Sequence, residues 1–158
     1  MSLMMEVDSI AREIETLYPE ANVYRLEEPE GPAPGAFVIG LMEERRMSEA
    51  RDHTLVERKY AVIRYGANAR QTLLDMEALS RHLLNERLAI PIGDSARVMR
   101  IESFSYASPV KAENGTDVCS GFIQTLSREP RIEPVVEKIG KVNIRTQGMQ
   151  DYLKGRDM

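Results

Sequence analysis

The sequence predicts an α+β domain: a largely antiparallel or mixed sheet of four to five strands, two main helices packed on one face, a long protruding β-hairpin and a C-terminal tail. Three observations lead there. Two stretches repeat apolar residues at helical spacing, Val7, Ile10, Ile14 and Leu17, then Leu73, Met76, Leu79 and Leu83. Between and after them lie runs with strand character, Ala36–Met42, Thr54–Tyr65, Arg97–Tyr106 and Asp117–Leu126. The runs come in pairs joined by polar or turn-forming segments, as antiparallel hairpins do and helix-linked parallel strands do not.

The first helix is expected from about Glu6 to Leu17 and ends at Pro19, which pushes the preceding residue out of the helical region. Asn22-Val23-Tyr24 reads as a short strand. The proline- and glycine-rich Glu27–Gly35 can hold neither helix nor strand. Ala36–Met42 is a strand by its unbroken apolarity, and its partner is Thr54–Tyr65. In that partner Tyr60–Ile63 is apolar on both faces and predicts a buried half, while the half nearer Thr54 alternates and predicts exposure. The charged stretch Glu43–His53 between them fits an exposed tip. Asn68 is the expected N-cap of a second helix, Ala69 to about Glu86, in which Glu77 and Arg81 form a favourable i,i+4 pair. Pro91 and Gly93 close the next connector, and Asn114-Gly115 predicts a tight turn between the last two strands. Val136, Ile139 and Val142 hint at a short helix, and Gly148–Met158 reads as frayed.

At 158 residues the chain suits one domain, or one domain with a tail. Residues 1–5 are expected to be an expression remnant or disordered start, 6–128 the α+β domain, and 129–158 a partly ordered extension. A net charge of −4 argues against a general nucleic-acid binder, since affinity for phosphates rests on excess positive charge. The one cysteine, Cys119, cannot form an internal disulfide, and with His53 and His82 it falls short of a usual zinc site. A reducing, cytosolic-type environment is the simplest expectation. No stretch approaches the roughly 20 apolar residues that span a bilayer.

Reaction machinery is sparse. Neither a phosphate-loop nor a dinucleotide glycine pattern occurs, and Cys119-Ser120-Gly121 lies within a strand, not at a strand-to-helix turn. Cys119 with His82 as base is arithmetically possible, but a lone strand cysteine is more simply a small buried hydrophobe, and His82 is more simply solvated. Glu43-Glu44 followed by Arg45-Arg46 is no catalytic constellation, because adjacent strand residues point to opposite faces. Glu27, Glu28 and Glu30 lack the spacing of a calcium loop. The bases Arg128, Arg131, Lys138, Lys141 and Arg145 are diluted by Glu129, Glu133 and Glu137 and read as solvated surface. These residues predict neither an enzyme nor a cofactor.

The order and character of the segments resemble the phage tail terminator family, in the short form carried by prophages of Gram-positive bacteria. The matching features are the opening helix ending at Tyr18-Pro19, Val23-Tyr24 with its acidic sequel, Pro34–Ile39, Arg58–Tyr65, the Leu73–Leu84 helix, two closing strands, and Pro134–Ile139 running to Val142-Asn143-Ile144. The likeness covers about residues 6–147, with Tyr65-Gly66-Ala67 departing from the aromatic-proline strand ending expected there. It implies a structural protein that caps the tail tube as a ring, typically hexameric, and offers the head-joining surface. The implied partners are copies of itself, the tube protein and a head-completion protein. The implied places are the host cytoplasm during assembly and the virion tail–head junction; no membrane partner is expected, and the net charge argues against a nucleic-acid one. Under this reading Glu43, Glu44, Arg45, Arg46, Arg51 and Asp52 are the candidate contacts to a neighbouring subunit or the tube. Competing readings are another head–tail connector or tail-assembly protein, a small cytosolic ligand-binding α+β domain, or a nucleic-acid contact through the tail.

Overall fold

A computed structural model of the chain describes residues 2–87 and 89–132. The fold is α+β, with helix α1 (Ser2–Leu17), strands β1 (Val23–Arg25), β2 (Phe37–Ser48) and β3 (His53–Gly66), helix α2 (Ala69–Leu84), and strands β4 (Ile90–Pro91), β5 (Val98–Tyr106), β6 (Val110–Lys111) and β7 (Asp117–Pro130). These strands form one mixed sheet in the order β1-β2-β3-β7-β5-β4, with β6 pairing β7 beyond the end of β5. Every pairing is antiparallel except β1 with β2. The sheet thus has seven strands instead of four to five, because β4 and β6 are two-residue bridges too short to leave a periodic signal.

The core is the layer between helices and sheet. Val7, Ile10, Ala11 and Ile14 of α1 and Met76, Leu79 and Leu83 of α2 meet Phe37, Ile39, Tyr60, Val62, Met99, Cys119 and Ile123, all buried. Leu73, expected in the α2 stripe, is exposed, and its place in the core is taken by Thr72. Asn68 caps α2 as predicted, accepting from the Gln71 amide at 2.8 Å.

Several features differ from expectation. Residues 2–5 belong to α1 and are no disordered start; Leu3 and Met5 pack against the core. β2 continues through Ser48, so Glu43–Arg46 lie on a strand and only the stretch from Glu49 to Asp52 turns. The charged run pairs with Lys59, Arg58, Glu57 and Val56 of β3, and cross-strand opposite charges offset its weak strand propensity. The half of β3 near Thr54 is not solvated on both faces, since Val56 and Arg58 are buried. β7 runs beside the whole of β3, from Gly66 opposite Asp117 to His53 opposite Pro130, so the hairpin is one edge of a three-stranded arm. The Asn114-Gly115 turn is also wider than a two-residue hairpin. Ala112 and Thr116 close it, and only Gly115, with φ 85°, adopts the left-handed region. The segment from Pro134 onward, with its expected helix and its part of the family resemblance, lies outside the described residues.

Candidate assembly surface on the three-stranded arm

Alternation along β2 sends Glu44 and Arg46 to the helix side of the sheet and Glu43 and Arg45 to the other. On the helix side they join a chain of alternating charge that starts in the core. The Glu6 carboxylate on α1, fully buried, accepts from Tyr60 Oη at 2.8 Å and Ser127 Oγ at 2.8 Å and pairs with Arg58 Nη1 at 2.9 Å. Arg58, only 1% exposed, donates through Nε to Glu44 Oε1 at 2.7 Å. Glu44 in turn accepts from Arg46 Nε at 2.8 Å, and Arg46 Nη1 donates to Glu129 Oε1 at 2.7 Å. The Arg46 and then the Arg58 guanidinium hold the Glu44 carboxyl below the usual glutamate range. Burial, reinforced by the Glu6 charge, pushes the Tyr60 phenol far up.

The tip has its own network. Arg128 donates to both Glu49 oxygens, at 2.7 and 3.0 Å, and His53 bridges Glu49 and Asp52 at 2.8 Å each. Hydrogen bonds from Arg128 to Glu49, and from His53 to Asp52, lower both carboxyl pKa values. The Arg131 amide donates to the Asp52 carbonyl at 2.8 Å and pins the start of the C-terminal segment to the tip. On the far face Glu43, Arg45, Glu57, Lys59 and Gln124 line a polar depression. There Arg45 stands 3.6 Å from Glu57, and Lys59 lies over the Phe122 ring at 5.0 Å.

The six candidate contact residues are therefore split three ways. Glu44 and Arg46 are committed to the arm's internal network, Glu43 and Arg45 stand on the opposite face, and Arg51 and Asp52 sit exposed at the tip. Sequence reasoning missed Glu6, Arg58 and Glu129. The available signal was phase: Arg58 falls in step with Val56, Tyr60 and Val62, and Glu6 lies one helical turn before Ile10. A charge in phase with core residues announces a buried ion pair.

The remaining chemistry-bearing residues have structural partners. Cys119 is buried, its Sγ donates to the Ala107 carbonyl at 3.1 Å, and burial raises its thiol pKa. His82 is not solvated as expected; with 12% of its side chain exposed, it bridges Glu13 at 2.9 Å and Glu86 at 3.0 Å, linking the two helices. Arg64 donates to Asp75 Oδ2 at 2.8 Å and to the Gly35 carbonyl at 2.7 Å and lies over the Phe37 ring, beside a groove lined by Tyr18, Pro19 and Pro34. Burial and the nearby Asp75 charge push the Tyr18 phenol up to about 12. Among the described residues no cluster of His, Cys, Asp and Glu is arranged to hold a metal ion, and no helix is long and apolar enough to cross a membrane.

No known family profile matches the chain, and no curated protein does. Among solved structures, one of a protein without a functional description is similar over 85% of this chain and 99% of its own, with a TM-score of 0.54 and 13% identity. That likeness is one of fold. A chain from the virion of a native gene transfer agent particle is similar over 78% of this chain and 93% of its own, with a TM-score of 0.42 and 15% identity.

Proposed function

We propose that the chain is a structural subunit of a phage-type virion, of the tail-terminator kind, which caps the tail tube as a ring and offers a surface for joining to the head. It acts by contact with copies of itself, the tube protein and a head-completion protein, not by transforming a molecule. Its working places are the host cytoplasm during assembly and then the tail–head junction. The observation that carries this reading is the three-stranded arm. Its inner charges are tied to the core through Arg58 and Glu6, which stiffens it, while Glu43, Arg45, Arg51 and Asp52 remain at the surface. A rigid, two-signed projection suits the heterologous contacts a ring requires. The element order of the resemblance, from the opening helix to the closing strands, supports the same reading.

The test is to add the full chain to the tube protein of its own particle during polymerisation and measure tube lengths by electron microscopy. Capped tubes of limited length carrying an extra terminal ring are expected. Tubes that grow unhindered, with no added density at either end, would refute the proposal.

A further inference from the structure

The sheet ends in two long strands whose outer edges are mostly open among the described residues. β1 covers β2 only at Phe37–Ile39, with the Leu26 amide adding one bond to the Ile39 carbonyl at 2.7 Å. β4 covers β5 only at Val98 and Met99. This leaves Gly40–Ser48 on one side of the molecule and Arg100–Tyr106 on the other, each a row of backbone donors and acceptors able to take another strand. The first edge also exposes Leu41 and Met42.

Resting on the ring reading above, we infer that successive copies join by antiparallel pairing of the open β2 edge of one copy with the open β5 edge of the next. Strand polarity supports this occupant. The long strands run β2-β3-β7-β5 with every neighbour antiparallel, so β5 runs opposite to β2. A head-to-tail repeat therefore makes an antiparallel join and keeps the helices of every copy on one side. Two-fold pairing of β2 with itself would also be antiparallel, but it closes at a dimer and leaves the β5 edge uncovered, so it builds no ring.

The covered ends also define the register. Full overlap of the two open edges, with helix-side residues on the same face, sets Arg100 opposite Met47, Phe104 opposite Glu44 and Ser105 opposite Glu43. Glu102, the extra residue at the irregularity between Ile101 and Ser103 and already paired with Arg100 of its own strand at 2.9 Å, then also lies beside Arg45 of the next copy, a pairing of opposite charges. The bulges and charges on both edges discourage indiscriminate sheet growth and leave this register favoured.

The decisive variant is full-length Glu43→Cys/Ser105→Cys, oxidised mildly and run without reductant, with solution mass followed by light scattering and Glu43→Cys and Ser105→Cys alone as controls. A ladder of covalent multimers is expected from the double variant and none from the single variants, which also contain Cys119. Dimers from Glu43→Cys alone would overturn the proposal in favour of two-fold pairing. Assembly by mass without a ladder, or no assembly at any concentration, would overturn the edge pairing, whereas the ring reading falls only if tubes grow uncapped. Separately, Arg45→Glu or Glu102→Arg should each weaken self-association by about fivefold, and the double charge swap should restore it.

Discussion

Arg58 sits among core residues because four carboxylate, phenol and hydroxyl groups around it complete a network: Glu6, Glu44, Tyr60 and Ser127. Removing one member leaves a buried charge without its counter-ion, so Arg58→Ala should destabilise the fold by about 3–5 kcal/mol in denaturant unfolding. The pH dependence follows from Glu44. Its folded pKa lies below the ordinary 4.5, so its contribution is present above that value and is lost as pH falls through the folded pKa. The stability gap between wild type and Arg46→Gln should accordingly narrow as the solution is acidified below the ordinary glutamate range. Urea unfolding at a series of acid pH values reads this directly, and a gap independent of pH would exclude the linkage. Cys119 supplies a complementary probe, since burial raises its thiol pKa and hides the thiol. It should react with a thiol reagent only at the rate at which the sheet opens.

At the scale of elements, the second helix and the arm have different origins. α2 is locally encoded. Asn68 satisfies the Gln71 amide, and Asn68→Ala should cost about 1 kcal/mol in thermal or chemical unfolding. Gly66 sets how closely β3 hands over to α2, because a Cβ there would run into the Thr72 hydroxyl and side-chain carbons. Gly66→Ala should therefore destabilise by roughly 1–3 kcal/mol even though the backbone there needs no glycine-specific angle. The arm is encoded across elements: β2 beyond Leu41 persists because β3 and β7 place Arg58, Glu57 and Glu129 within reach of Glu44, Arg45 and Arg46. Arg46→Glu should consequently loosen the monomer itself, visible as lost amide protection in the arm.

At the scale of the whole molecule, the described residues form a sheet with helices on one face, the charges of the arm's outer side on the other, and two edges only partly covered. Arg45→Glu separates stability from assembly better than Arg46→Glu, because Arg45 is two-thirds exposed and its ion pair among the described residues is a loose one, with Glu57 at 3.6 Å. Such an exposed pair contributes roughly 0–1 kcal/mol to the monomer. Its melting temperature should therefore stay near wild type while self-association falls, measured by concentration-dependent sedimentation. Equal losses of both would return Arg45 to a purely intramolecular role.

The linear order of residues determined the class of fold, both helices, the β2–β3 and β5–β7 pairings, the α2 cap and the burial of Cys119, because each rests on spacing, capping chemistry or apolarity within a short window. Only the tertiary structure decided which charges are spent inside the molecule. Glu6 and Ser127 stand 121 positions apart and share one hydrogen bond, and Glu129 meets Arg46 from 83 positions away. No local pattern can register such meetings, since what brings those groups together is the packing of α1 over a sheet whose third and fourth strands, β3 and β7, are far apart in the sequence. The same long-range pairing left β2 and β5 at the margins of the sheet, and with them the edges on which assembly is proposed to rest.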